Sequence, residues 1–280
     1  MKNIEQIEGV DKMKDIQLNS GHKMPIIGTG TNTYGKKDNA YQGELTGDFT
    51  VLKNAIELGY RSIDAAISYQ NEAGVGETIA NSRIPREEFF ITTKIPNKDE
   101  YVATKDKVRE TIENSLSNFH TDYIDLFLIH HPIENKEYFK KTWEVLEEYY
   151  EKGILRSIGV SNFDEGLLRE MEAFATVKPA VNQIQVNLKE PNTALIALLK
   201  KLDIVPVAWG PMKATDEQID ALTKIGAVHK KSWAQVLLRY QTQRGVVVIP
   251  KSHNPDNQAS NLNLFDFELS DDEMKDINQL

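Results

Sequence analysis

Ile124-Asp125-Leu126-Phe127-Leu128-Ile129-His130 is an apolar run broken by one acid and ended by an imidazole. A strand with one wet face alternates apolar and polar residues, whereas a nearly continuous run suits a strand buried on both faces. Val246-Val247-Val248-Ile249 repeats the pattern near the other end of the chain. Working outward, further strand candidates fall at 25–29, 60–64, 89–93, 154–160, 180–185 and 204–208, which with 124–130 and 246–249 makes eight. Amphipathic stretches lie between them, most clearly 138–152 and 232–243. In the first, Phe139, Trp143, Leu146 and Tyr150 keep helical spacing and Gly153 supplies the stop. Asp164 and Asn192 are placed as N-caps. Strands alternating with helices imply parallel crossovers, hence a (β/α)8 barrel or a large doubly wound sheet.

A doubly wound dinucleotide fold carries Gly-x-Gly-x-x-Gly between its first strand and helix. Gly28-Thr29-Gly30 has Thr33 at the third position, and Gly74-Val75-Gly76 has Ile79 and follows a loop. Neither is the fingerprint; the residues leave both architectures open, and barrel closure is an assumption at this point. Ahead of the first strand, 16–18 and 23–24 flank Asn19-Ser20-Gly21, a hairpin that could plug one barrel end. Residues 1–13 read as an extension and 14–280 as one domain. A barrel uses about 250 residues in a single domain, which this length of 280 accommodates.

Composition narrows the function. The chain is 40% hydrophobic and 27% charged, ordinary globular usage. With no Cys, disulfides, Cys-ligated zinc and thiol catalysis are excluded. A net charge of −9 with interspersed signs argues against a nucleic-acid partner. No apolar run approaches the roughly 20 residues that span a bilayer, and the N-terminus lacks the apolar centre of a secretory signal. A cytoplasmic protein is expected.

The strand ends carry the chemistry. Strand two ends at Asp64, strand three runs into Lys94, strand four ends at His130, and Tyr69 follows Asp64 in the next loop. In a barrel these positions meet at one mouth, where active sites of that fold lie. Each has a bland reading: Asp64 as a helix cap, Lys94 as a solvated charge, His130 as a structural histidine, Tyr69 as a loop tyrosine. Their joint placement favours function. His130-His131 suggests a metal, but adjacent strand residues face opposite ways and no zinc motif accompanies them, so no metal site is expected. A paired-carboxylate hydrolase lacks its second strand-end acid.

Gly59-Tyr60-Arg61-Ser62-Ile63-Asp64-Ala65-Ala66, Tyr69-Gln70-Asn71-Glu72 and Val75-Gly76 resemble the signature of the aldo-keto reductase family. So do Thr93-Lys94, Leu128-Ile129-His130-His131-Pro132, Ile158-Gly159-Val160-Ser161-Asn162-Phe163, Asn182-Gln183 and Ile249-Pro250-Lys251-Ser252. The resemblance covers nearly the whole chain from Ile16, and is nearest to bacterial diketogluconate and glyoxal reductases. It implies a (β/α)8 barrel that binds NADPH at the strand C-termini and reduces small aldehydes and ketones, including dicarbonyls, keto sugars and keto acids. Its catalytic tetrad falls on Asp64, Tyr69, Lys94 and His130. Tyr69 is then the proton donor, Lys94 (held by Asp64) the charge that makes a phenol more acidic, and His130 the donor that orients the carbonyl. Ser161, Asn162 and Gln183 match the nicotinamide carboxamide contacts. Trp209, with Gly210 and Met212 beside it, matches the stacking position, where core packing is the alternative. Lys251 and Ser252 match the 2′-phosphate site and Asn261 an adenine contact.

Two departures stand out. The family carries Arg where this chain has Asn257, which predicts weaker discrimination between NADPH and NADH. Its pocket tryptophans are replaced by Asn32, Pro96 and His131, predicting a more polar pocket. The chain stops at Leu280, soon after Phe265-Asp266-Phe267-Glu268-Leu269-Ser270, where relatives continue into a loop over the substrate. An open site for small or hydroxylated carbonyls is the expectation. A monomer is expected, and an NADPH-binding redox sensor without efficient turnover is the alternative function.

Overall fold

A computed structural model describes residues 14–280; the expected extension 1–13 lies outside the described residues. The predicted hairpin is present as β1 (Asp15–Gln17) and β2 (Lys23–Pro25), antiparallel with Ile16 opposite Met24. Eight parallel strands follow: β3 (Thr29–Gly30), β4 (Ser62–Asp64), β5 (Phe90–Ile95), β6 (Leu126–Ile129), β7 (Ile158–Ser161), β8 (Val181–Gln185), β9 (Val205–Trp209) and β10 (Val247–Val248). Each pairs with its neighbour in sequence. The two outer strands meet, because the Val248 N–H donates to Ile26 O at 3.0 Å and the Gly28 N–H donates to Val248 O at 2.9 Å. The sheet is therefore closed, which leaves no edge to protect.

Side chains alternate about the wall. Phe90, Leu126, Leu128, Val181, Val207 and Val247 fill the interior, joined by Leu18 and Met24 from the hairpin. Ile63, Ile91, Phe127, Ile129, Val160 and Ile184 face outward against the helices. The hairpin sits at the end where strands begin. The Asn19 amide donates to Pro179 O at 3.1 Å and Asp203 O at 2.9 Å, and Ser20 Oγ lies 2.7 Å from Ser157 Oγ. Chemistry is thereby left to the opposite end.

The helices include α1 (Thr50–Leu58), α2 (Glu72–Asn81), α3 (Asp99–Val102), α4 (Lys105–Asn118), α5 (Lys136–Glu151), α6 (Glu165–Met171), α7 (Thr193–Lys201), α8 (Asp216–His229), α9 (Trp233–Gln243), α10 (Pro255–Leu262) and α11 (Asp271–Asn278). The 138–152 expectation corresponds to α5, with Gly153 at φ +72° ending it as glycine can. The 232–243 expectation corresponds to α9, opened by a capping box in which Ser232 and Gln235 exchange bonds. Asp164 caps α6 through Leu167 N. Asn192 does not cap α7. It lies in the left-handed region at φ 44°, and its amide donates to Gln185 O at 2.8 Å, tying the loop back to β8.

The strand bounds also differ from expectation. Pro25 belongs to the hairpin, and the first barrel strand is Thr29–Gly30, with Ile27 only bridging to Val248. The run 154–160 yields Ile158–Ser161 because Leu155 makes one isolated bridge to Ile124 before the ladder begins. An apolar run marks burial, while the strand marks only where a neighbour is in register. Among the described residues no helix is long and apolar enough to cross a membrane.

Candidate active site

At the ends of the strands lies a cleft of about 530 Å³. Register explains why its residues converge. Gly30 pairs with Asp64, Asp64 with Thr92, Lys94 with Leu128, and Ser161 with Gln183. The inward side chains of the last turn of each strand therefore share one layer. Asp64 and Lys94 are almost wholly buried in it, and the Lys94 ammonium donates to Asp64 Oδ1 at 2.6 Å and to Ala65 O at 2.7 Å. The other Asp64 oxygen accepts from Gln183 Nε2 at 2.7 Å. Tyr69 rides on a single 3-10 turn, Ile67–Tyr69, which Gln70 ends at φ 60°. That turn sets its hydroxyl 3.5 Å from Lys94 Nζ and its ring edge-on to His130, with centroids 5.8 Å apart.

The four residues expected from strand ends are thus in one place, and three of them (Asp64, Tyr69 and His130) line the cleft. Lys94 lies beneath it. Burial pulls the Lys94 pKa down, with Asp64 pulling the other way. His130 is pushed down to about 2 by burial first, then by the charge of Lys94 and by His131, so the ring is neutral at physiological pH. Tyr69 corrects an expectation. Its pKa lies well above the ordinary phenol value, because burial opposes ionisation first and the charges of Asp64 and Tyr41 add to it. The phenol therefore keeps its proton at neutral pH.

Ser161, Asn162 and Gln183 lie along the adjoining wall. Ser161 Oγ donates to Gln183 O at 2.8 Å. Asn162 is held at φ 62° while its amide donates to His130 O at 3.1 Å. Trp209 is half-buried at the end of β9, where it packs against the interior cluster, lines the cleft with Gly210 and Met212, and donates from Nε1 to Asn162 Oδ1 at 2.8 Å. Lys251 lines the far end and makes no ion pair among the described residues. Ser252, Asn257 and Asn261 lie outside the cleft lining. Ser252 turns the chain by accepting from Asn254 N at 3.1 Å, Asn257 is exposed in the first turn of α10, and Asn261 is buried in its last.

Of the three positions expected to shape the pocket, Asn32 and His131 line it and Pro96 does not. Pro96 is buried just after β5, where the chain turns away toward α3. The cleft is also less bare of rings than expected. His131 stacks on His130 at 4.6 Å, and Tyr41, from the long segment between β3 and α1, stands edge-on to Tyr69 at 5.9 Å. No periodicity marks a loop residue, which is why Tyr41 escapes a sequence reading. Lys213 is the other omission: its ammonium lies 5.5 Å from the centre of the Trp209 ring. Its signal was available, four residues beyond a strand-end tryptophan.

The arrangement fits a flat, anionic cofactor. A half-buried indole lies at one end and the Lys251 ammonium at the other, and among the described residues the buried Asn32 Oδ1 and His130 Nδ1 have no partner. These groups line the mouth of an eight-stranded α/β barrel, the end at which enzymes of that fold carry their active sites. Comparison with known proteins agrees. Residues 26–280 match the Aldo/keto reductase family, and the chain belongs to that family of NADPH-dependent oxidoreductases. It is 40% identical over 272 residues to glyoxal reductase of Bacillus subtilis (strain 168), covering 96% of this chain and 93% of that one. It is 37% identical to morphine 6-dehydrogenase of Pseudomonas putida, covering 95% and 90%. Among solved structures, an aldo/keto reductase from Brucella melitensis superposes with a TM-score of 0.86 at 32% identity, covering 96% of this chain and 99% of that one. Bombyx mori aldo-keto reductase in complex with NADP gives 0.84 at 35%, covering 95% and 92%.

Proposed function

We propose that this chain reduces small aldehydes and ketones, dicarbonyls, keto sugars and keto acids among them, with NADPH as reductant and Tyr69 as the proton donor. The observation that carries the reading is the Tyr69 hydroxyl, 3.5 Å from a buried ammonium that Asp64 holds at 2.6 Å. When bound, a nicotinamide cofactor supplies the hydride that reaches the carbonyl carbon. Every other part of the reaction falls to side chains of this chain.

As negative charge grows on the substrate oxygen, Tyr69 Oη gives it a proton and becomes a phenolate. That phenolate forms against Lys94, so the cost of ionising a buried phenol is offset when the proton leaves and not before. Asp64 uses one oxygen to hold Lys94 and the other to accept from Gln183, which fixes the ammonium beneath the reacting atoms. His130 is neutral and therefore carries a single N–H to offer the carbonyl oxygen, an oxyanion-type contact. Asn162, tied to His130 O and to Trp209, couples the cofactor wall to the substrate wall. Ser161, Asn162, Gln183, Trp209, Gly210 and Met212 are assigned to the nicotinamide end. Lys251, Ser252, Asn257 and Asn261 are assigned to the adenosine end.

The test is oxidation of NADPH with methylglyoxal or a diketo sugar acid by the wild type and by Tyr69→Phe. Loss of about a hundredfold or more in kcat, with NADPH affinity kept, is the expected result for removing a positioned proton donor. NADPH binding without turnover of any small carbonyl would shift the reading to a redox sensor. We infer a monomer, which light scattering of the purified protein checks.

A further inference from the structure

We propose that Tyr41 is a specificity-determining wall of the substrate site, selecting carbonyls that carry a flat, unsaturated substituent. The inference rests on the carbonyl-reductase reading of the cleft and adds the substrate class that this cleft prefers.

Tyr41 belongs to the segment joining β3 to α1, and this segment is built rather than loose. Lys36 bridges Leu45 in antiparallel fashion, Lys37 N donates to Glu44 O at 2.9 Å, and Thr46 N donates to Gly35 O at 2.7 Å. Lys36 is buried, and its ammonium donates to the Tyr41 carbonyl while lying 5.0 Å from the centre of the Tyr41 ring. Gly35, at φ +71°, makes the approach possible: a Cβ there would sit 2.5 Å from the Phe49 ring. A lysine spent on holding one tyrosine backbone and ring fixes where that ring goes.

The ring goes over the reacting phenol. Tyr41 is 42% exposed, lines the cleft, and meets Tyr69 edge-on at 5.9 Å. Its packing leaves about two-fifths of it open to solvent and cleft, enough of the ring for a substrate to touch. His131, stacked on His130, lines the same cleft. A carbonyl placed within reach of Tyr69 and His130 has its substituent beside the Tyr41 ring, because that ring meets Tyr69 itself. Flat unsaturated groups gain offset or edge-on contacts there, whereas a small alkyl group leaves the ring unused.

The experiment compares kcat/KM for benzaldehyde and for propanal in the wild type, Tyr41→Ala and Tyr41→Phe, with NADPH affinity and Tm measured for each. Tyr41→Ala should lose about tenfold with benzaldehyde, mostly in KM, equivalent to about 1.4 kcal/mol of lost contact. With propanal it should change less than about twofold, and Tyr41→Phe should behave as wild type with both. An equal loss with both aldehydes, a gain with benzaldehyde, or a Phe variant resembling Ala would overturn the proposal. Should Tyr41→Ala fail to fold, Lys36→Met, which frees the ring without removing it, should show the same benzaldehyde-specific loss. If the wild type reduces neither aldehyde but turns over methylglyoxal, carbonyl reduction stands and the Tyr41 proposal is overturned. If it turns over no carbonyl at all, carbonyl reduction fails as a reading, and Tyr41 is still tested by equilibrium binding to the NADP-loaded protein. A preference for benzyl alcohol over propanol that Tyr41→Ala erases supports it; no preference overturns it.

Discussion

His130 is buried beside a cation, and these two facts together fix its protonation. Its pKa, pushed down to about 2, puts its proton loss far below any working pH. Tyr69 titrates at the other extreme, above the ordinary phenol value. The sign then follows for carbonyl reduction. An acid-limb change needs His130 to gain a proton, whereas a base-limb loss follows if Tyr69 gives up its own or if Lys94, whose pKa burial lowers, loses its charge. His130 stays neutral above about pH 5, so kcat/KM for reduction should show no acid limb there. An acid limb near pH 7 in the steady-state profile would contradict the His130 assignment. At the cofactor's far end, Asn257 is exposed in the first turn of α10, beside the assigned position of Lys251. Asn257→Arg should tighten NADPH by roughly 1.5–3 kcal/mol, the worth of a charged hydrogen bond, and NADH much less. Dissociation constants for both cofactors decide it, and equal gains would remove Asn257 from the 2′-phosphate site. Asp64, Lys94 and His130 were legible as candidates because they break apolar strands near their ends, and Tyr69 because it follows Asp64 closely within a short loop. Tyr41 was not, because nothing in a loop's sequence says which way it folds back.

Helix α2 shows how an element can mislead when read alone. Gly74-Val75-Gly76 looks like part of a phosphate loop, but Gly76 is where α2 crosses α4. A Cβ there would sit 2.1 Å from Asn118 O and 2.6 Å from Phe119 Cα. Ala in place of Gly gains about 0.5–1 kcal/mol of helix propensity, while overpacking against fixed backbone costs about 1–3 kcal/mol or more. The second effect wins, so Gly76→Ala should lower stability, by calorimetry or urea titration, despite its better helix propensity. The same crossing buries Glu72 on Ser115 Oγ at 3.0 Å and on Thr93 Oγ1 at 2.6 Å, one residue before Lys94. Helix existence was readable from spacing in 138–152 and 232–243 and from the Asp164 cap. The Asn192 cap expected alongside it does not form, because Asn192 takes the left-handed backbone at φ 44° and not the extended one of a capping residue.

On the scale of the whole barrel, the two ends have separate duties. Leu18 and Met24 extend the interior cluster at the end where strands begin, and the cleft occupies the end where they finish. Asn19→Ala removes two hydrogen bonds that join the hairpin to Pro179 and Asp203. A loss of about 1–2 kcal/mol is expected, or roughly 2–4 °C in Tm per kcal/mol for a domain of this size. Turnover should be unchanged at temperatures below the transition. A fall in kcat without a fall in Tm would mean the ends are coupled.

By itself the sequence determined the alternation of strands and helices, the order of the strands and which residue types stand at their ends. Doubly buried strands must be apolar throughout, and an acid, a lysine or a histidine at their ends breaks that pattern visibly. Tertiary structure alone decided the rest. Closure depends on Gly28 and Val248, which lie far apart in the chain and meet through backbone groups that every residue carries. The pKa of Tyr69 depends on its burial, which no spacing records. The wall that Tyr41 forms depends on Lys36 folding a long loop back across the cleft, a choice made by contacts and not by periodicity.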